Sequence, residues 1–409
     1  MKMGQGENIM VIELDIIQTL AVAVVVLFIG RFVKKYVKCL ERLCIPDPVV
    51  GGIIFSLLML AGYSSGVCVL ELDTTLQNVF MTVFFTAVGF TCDLKVLKKY
   101  GKRGIQFTII VFLLVIFQNI IGVGYAKLFG LHPLLGLCTG SAAMTGGHGT
   151  AGSFAPLFEE LYGCDGAMTV GMAAATFGLV SGGLIGGPVG NILVKKHRLE
   201  AVASARKGEQ SSVAAETKQE APLSAENMFH ATNQIVISMG IGTIIYILLK
   251  MVGITFPSYV GGMLMGVVLR NISAYTGKFE TPLAEIDCIG NISLTIFVSM
   301  ALMSLKLWQL AALALPMIVT LATQVAFIAL FMVFAGYYIL GRDYDAAVMV
   351  TGCCGFGLGA MPNGVSNMQA FTKRWGPSDT AFFVVPGVGS VIIDVVNGLL
   401  LTTFMNFLA

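Results

Sequence analysis

Apolar runs of 17 residues or more recur along this chain, and that repetition restricts it to one class of fold. A helix needs about 20 apolar residues to cross a hydrocarbon core of about 30 Å. Such runs, repeated, describe an all-α polytopic membrane protein. Composition agrees: 56% of the residues are hydrophobic and 12% charged, against about 25% charged in soluble proteins. A net charge of +2 says nothing about nucleic acid, and no nucleic-acid partner is expected. Several of the nine cysteines, among them Cys92, Cys138 and Cys288, lie inside apolar runs. Their spacing fits neither a zinc site nor a disulfide framework, so they read as core.

The expected spans are 14–30, 49–61, 76–91, 105–126 and 167–193 in one half, and 234–252, 259–271, 288–305, 309–338 and 380–403 in the other. Basic residues follow the first run rather than precede it, so it reads as a retained helix and not a signal peptide. Residues 195–228 are charged and rich in Ser, Ala and Gln, which describes a flexible linker between repeats 1–194 and 229–409. With the N-terminus outside, 21 of the 25 Lys and Arg fall inside, and only Lys2, Lys127, Lys250 and Lys306 stay out. This asymmetry predicts ten spans in the cytoplasmic membrane, both termini outside and a cytoplasmic linker.

Two apolar segments are too short to cross. In 133–159 the run breaks at Gly146-Gly147-His148-Gly149-Thr150. Its first arm would rise roughly 20 Å as a helix, enough to reach the middle of the bilayer and turn back. A glycine turn in lipid exposes backbone polar groups at a cost of several kcal/mol each, roughly, so protein or a water-filled cavity must cover it. The spacing predicts a re-entrant hairpin. Segment 345–371 repeats the pattern, broken by Gly355, Gly357 and Gly359, with a first arm of about 18 Å. The halves also match in order: Val50-Gly51-Gly52 with Val260-Gly261-Gly262, Leu94-Lys95 with Leu305-Lys306, Thr139-Gly140 with Thr351-Gly352, and Gly163 with Gly376. The offset stays nearly constant, as in an internal repeat. Five spans per half is odd, so the halves would insert with opposite orientation, one hairpin entering from each side. Inverted repeats with paired broken segments are a plan of secondary transporters. The sequence has no GxxxxGK[ST] phosphate loop, which points to an ion gradient as the energy source.

The chain resembles the bacterial sodium/glutamate symporter family over nearly its whole length. The resemblance rests on Gly140-Ser141, the Gly146–Thr150 cluster, and Phe177-Gly178-Leu179-Val180 running into Gly182-Gly183-Leu184-Ile185-Gly186-Gly187-Pro188. It continues in Leu305-Lys306-Leu307-Trp308, Gly355-Phe356-Gly357-Leu358-Gly359-Ala360, Asn367-Met368-Gln369-Ala370, and Asp394 with Asn397. Cys353-Cys354 and Met361-Pro362-Asn363-Gly364 depart from the family's pattern and bear on selectivity. The resemblance implies Na⁺-coupled symport of L-glutamate, a homodimer, and an elevator-like movement of a core against a scaffold. No enzymatic activity and no cofactor are implied beyond Na⁺ as the coupling ion.

Glutamate brings two carboxylates and an ammonium, yet no Lys or Arg sits in the middle of a span. Its carboxylates are therefore expected at half-helix N-termini, where backbone N–H groups and the dipole favour anions. The candidate substrate residues are Thr145, Gly146, Gly147, His148, Gly149 and Thr150 in the first hairpin, and Gly355, Gly357, Gly359 and Asn363 in the second. His148 reads as a hydrogen-bonding residue or, less simply, a proton carrier. Asp394 is the acid well inside the last span, where a charge costs at least about 2.5–3.5 kcal/mol. It suits either Na⁺ or the substrate ammonium. Asn119, Asn291, Gln324 and Asn397, with Asp394, supply oxygens that suit Na⁺, although such amides equally serve as interhelical hydrogen bonds. Other readings are a proton- or Na⁺-coupled transporter of another small carboxylate, or a channel. A receptor would need a soluble sensing domain, and a hydrolase a spacing signature that Ser141, His148 and Asp394 lack.

Overall fold

The described parts of each expected apolar run are chiefly helical in the computed structural model, which describes residues 2–3, 10–37, 40, 45–200, 223–251, 257–309 and 313–408. In the first half the helices are α1 (Ile16–Tyr36), α2 (Asp47–Ser64), α3 (Thr75–Thr91), α4 (Gly101–Leu128), α5 (Pro133–Cys138), α6 (Ser141–Met144), α7 (Gly147–Tyr162) and α8 (Ala167–Lys196). The second half holds α9 (Ala225–Met251), α10 (Ser258–Thr276), α11 (Leu283–Met303), α12 (Ala314–Phe331), α13 (Tyr344–Phe356), α14 (Met361–Trp375) and α15 (Asp379–Leu408). A π-helical turn, Met332–Gly336, continues α12 into Tyr337–Ile339. Residues 201–222 of the expected linker lie outside the described residues.

Local chemistry sets several of these ends. Asp15 and Gln18 form a reciprocal capping box at the start of α1. Pro46 and Pro48 admit α2 only from its first turn, where a missing N–H costs nothing. Asp343 caps α13 by accepting the Ala346 N–H (2.9 Å) and also pairs with Arg103 of α4. One feature was not expected. Between two expected spans, Cys68–Glu71 forms a strand, β3, parallel to β2 (Met10–Glu13). Lys2–Met3, β1, pairs antiparallel on the other edge of β2.

Among the described residues, seven helices are long and apolar enough to cross a membrane. The count is eight with α15, whose parts Asp379–Gly389 and Asp394–Leu408 meet at 45°. The protein is therefore a helical integral membrane protein. The other two expected spans form α3, with 17 residues, and α10, with 19, which stand outside that count. Burial along α4 runs opposite to that of a soluble helix: Ile105, Ile109, Phe112 and Ile120 are exposed, while Gln118 and Asn119 are fully buried. Apolar side chains face lipid and polar ones the interior, as solvation in a bilayer requires.

The helices pack in two groups. In one, α3 lies against α10 and α11, α9 against α10, and α1 and α2 against each other and α11. In the other, α8 packs on α7, α12, α13 and α14, and α4 on α5, α12 and α15. Contact between the groups is thinner, with α7 on α11 and α15 on α3 among its main points. Each group draws its helices from both halves of the chain, the first group the three leading ones of each half.

Candidate functional site

Both broken segments fold back on themselves. In the first, the expected single arm 133–145 is two short helices, α5 and α6, parted at Thr139-Gly140. Side chains from three other helices take up the backbone groups this break releases. Asn119 Oδ1 accepts the Ser141 N–H (2.9 Å), and Gln324 Nε2 donates to Thr139 O (3.2 Å) and Gln118 O (2.8 Å). Asn397 Oδ1 accepts from Ser141 Oγ (2.7 Å), and its Nδ2 donates to Ser141 O (3.2 Å). The chain then turns at Thr145-Gly146 into α7. Gly147 has φ +61°, and a Cβ there would lie 2.7 Å from Gly359 O of the other hairpin. Only glycine suits that backbone, and the two tips abut there.

The second segment is nearer to expectation. Its first arm, α13, ends at Phe356, and Gly357–Gly359 turn the chain into α14. α14 docks on α8 through Asn363 Nδ2 to Leu179 O (2.6 Å) and Asn367 Nδ2 to Gly182 O (2.8 Å). Trp375 Nε1 adds a bond to Asn191 Oδ1 (2.7 Å). One buried amide joins both turns: Gln118 Nε2 donates to Gly357 O (2.7 Å), and Gln118 Oε1 accepts from Thr145 Oγ1 (2.6 Å).

A cavity of about 600 Å³ lies between the two helix groups. Thr145, Gly146, Gly147, His148, Gly149 and Thr150 line it from the first hairpin, and Gly359, Ala360 and Met361 from the second. Asp394 of α15 completes this wall, and Phe84, Val88, Leu294, Thr295 and Val298 form the opposite one. The N-termini of α7 and α14 both open here, and no side chain caps either. At α7 the free Gly147, His148 and Gly149 N–H groups add to the positive dipole end; α14 offers its dipole end and the Met361 N–H, because Pro362 has no N–H and the Asn363 N–H is bonded to Ala360 O (3.0 Å). His148 is 7% exposed, with Nε2 at 2.9 Å from Thr176 Oγ1. No basic side chain among the described residues pairs with Asp394. Such a wall, one N–H cluster, two positive dipole ends and one carboxylate, can hold an anion and a cation together.

The expected residues fall into separate places. Gly355 and Gly357 face packing rather than the cavity; a Cβ at Gly355 would meet Asn363 O at 2.7 Å, and one at Gly357 would meet Ile328 Cδ1 at 2.7 Å. Asn363 holds α14 to α8. Asn119, Gln324 and Asn397 gather at the Thr139–Ser141 break, with Asn119 Nδ2 and Gln324 Oε1 buried and unpartnered. Asn291 is exposed on α11 and donates to Asp287 Oδ2 (2.9 Å), an acid at the rim of the cavity. Sequence reasoning missed Thr176 and the charged rim of the cavity, Arg31, Lys34, Asp47 and Asp287. The rim was visible as a basic cluster after the first span, but it was read only as a topology signal.

Comparison with known proteins agrees over the whole length. Residues 12–377 match the family described as Sodium/glutamate symporter. The Sodium/glutamate symporter of Haemophilus influenzae is 39% identical over 385 residues, 94% of this chain and 95% of that protein. The Sodium/glutamate symporter of Escherichia coli K12 is 39% identical over 398 residues, 96% and 98% of the two chains. Among solved structures, the sodium proton antiporter MjNhaP1 of Methanocaldococcus jannaschii aligns with a TM-score of 0.46 at 15% identity, covering 97% of this chain and 98% of that one. The two 39% relatives are named as transporters rather than enzymes, and with the family match they establish that the chain belongs to the sodium/glutamate symporter family.

Proposed function

We propose that this chain takes up L-glutamate together with Na⁺ across the cytoplasmic membrane of a bacterial cell. The observation that carries the reading is the shared cavity: two abutting hairpin tips, two uncapped helix N-termini and Asp394 face one space between two helix groups. The α7 N–H cluster and the positive end of α14 take the carboxylates, with Thr145 and Thr150 hydroxyls beside them. Asp394 takes a cation, either Na⁺ or the substrate ammonium. The buried oxygens of Asn119, Gln324 and Asn397 are a second candidate place for Na⁺, favoured by the unpartnered Gln324 Oε1. Asn291 takes no part.

The wider plan follows from the same features. Ten spans form two inverted repeats, 1–194 and 229–409, each with one hairpin (133–159 and 345–371), both termini outside and the linker 195–228 cytoplasmic. The 21-to-4 charge split and the matching order of helices in each half support it. The group holding α1–α3 and α9–α11 is the scaffold, which pairs in a homodimer. The group holding both hairpins moves against it, elevator-fashion, and the thin contact between them favours this division.

Proteoliposomes test the function. L-glutamate should accumulate on an inward Na⁺ gradient and be competed by close dicarboxylate analogues. Uptake that survives replacement of Na⁺ by choline while a pH gradient suffices would make the protein a proton symporter. Accumulation of another carboxylate in place of glutamate would move the substrate and keep the mechanism.

A further inference from the structure

The cavity is not lined by hairpins alone. At its far end stand Arg31 and Lys34 of α1, which no step of the proposed binding uses. Their placement is fixed by close packing. A Cβ at Gly30 would lie 2.1 Å from Asp47 O and 2.7 Å from Gly51 N, so α1 and α2 touch backbone to backbone there. Asp47, in the first turn of α2, then lies between the two cations: Arg31 Nε is 3.4 Å from Oδ2 and Lys34 Nζ 3.1 Å from Oδ1. Two cations share one carboxylate. The Arg31 side chain is 74% exposed, and its Nη groups have no partner among the described residues. A planar guanidinium with a free edge is suited to bidentate capture of a carboxylate.

The depth of the rim follows from one contact. Ser299 Oγ donates to Ala23 O (2.9 Å). Leu27, Arg31 and Lys34 of α1 and Asp287, Leu294, Thr295 and Val298 of α11 line the cavity, and in the inverted-repeat plan proposed above α1 ends and α11 begins on the cytoplasmic side, so the two helices run antiparallel. Stepping from Ala23 to Lys34, and back from Ser299 to Asp287, covers roughly 17 Å in each case at about 1.5 Å per residue. Asp287 therefore lies at the depth of Lys34. It is exposed, and Asn291 occupies one of its oxygens. Asp394, a further acid of the cavity, lies beside the hairpin tips. The rim thus offers separate cationic and anionic positions.

We propose that Arg31 and Lys34, held on Asp47, form a waypoint at the cytoplasmic mouth of the cavity that selects small organic carboxylates, with Asp287 available to an accompanying ammonium. The proposal rests on the reading of the cavity as a carboxylate pathway. It lies on the scaffold, so it stays at the mouth while the hairpins move. Its role is capture and release rather than tight binding, and it changes the rate at which anions pass.

A thiol probe tests this without using glutamate. Thr295→Cys places a thiol on the cavity wall two turns inside Asp287. In inside-out vesicles its modification rates by a small sulfonate reagent and a small quaternary ammonium reagent are compared, after subtracting the reactivity of the chain without that substitution. At low ionic strength Arg31→Gln with Lys34→Gln should lower the anion-to-cation rate ratio, by about threefold per lost charge. Asp47→Asn releases both cations and should raise it. Both shifts should shrink in high salt, where the Debye length falls to about 3 Å at 1 M. Opposite signs from neighbouring substitutions are not the signature of general disruption. Equal ratios in all three proteins, or labelling of Thr295→Cys only from the outer side, would overturn the proposal. Na⁺-driven uptake of glutamate is a separate result. Uptake without charge selection would sink the waypoint and keep the function; selection without glutamate uptake would do the reverse.

Discussion

Asp394 faces the cavity from α15, one turn before Asn397 is tied to Ser141. A carboxylate at that depth needs a partner, and the described residues offer no basic one. Asp394→Asn keeps size and hydrogen bonding but removes the charge. The variant should insert normally and lose most concentrative uptake. If the residue serves Na⁺, the Na⁺ concentration for half-maximal glutamate binding rises steeply. If it serves the ammonium, glutamate affinity falls even at saturating Na⁺. Wild-type uptake with wild-type Na⁺ dependence would make Asp394 structural. Residues of this kind stand out in the sequence because a lone acid or a glycine cluster interrupts an apolar run. Asn291 is ambiguous for the converse reason. An amide in an apolar run looks the same whether it faces a site or the helix surface, and only the register of α11 separates the two.

Among the elements, the second hairpin was readable and the first only partly. α13 ends at Phe356, inside the Gly355–Gly359 cluster, a purely local signal. The break at Thr139-Gly140 is different, because it exists through Asn119, Gln324 and Asn397, which arrive from three distant helices. No local pattern reports such an arrangement. Gln118 is the element-scale prediction. Its amide spans both turns, so Gln118→Ala leaves Gly357 O and Thr145 Oγ1 without their buried partner. A buried group deprived of its bond costs about 1–3 kcal/mol. The thermal midpoint should fall, and the two tips should lose their fixed spacing. Glutamate affinity should therefore drop in Gln118→Ala more than in a variant of similar destabilisation placed away from the hairpins. Equal affinities at matched stability would confine Gln118 to a packing role.

At the scale of the whole molecule, the decisive feature is the seam between the helix groups. A Cβ at Gly149 of α7 would lie 3.3 Å from Phe84 Cε1 of α3 and 3.6 Å from Leu294 Cδ1 of α11. If the hairpins travel with their own group, this contact must break in every cycle. A cysteine pair at Phe84 and Gly149, joined by a short bifunctional thiol reagent, should then abolish Na⁺-driven uptake, and a reducible linker should restore it. The control lies inside one group: Ala23 and Ser299 are already bonded across α1 and α11. A link between cysteines at those two positions should leave uptake largely intact, since α1 and α11 keep their relation throughout. Rigid groups with a moving seam require this contrast, because closely packed interiors shift as units rather than deform continuously. Transport that continues with Phe84 and Gly149 linked would mean that the hairpins open and close within a fixed frame, and the division into scaffold and moving core would be wrong even with the glutamate assignment intact.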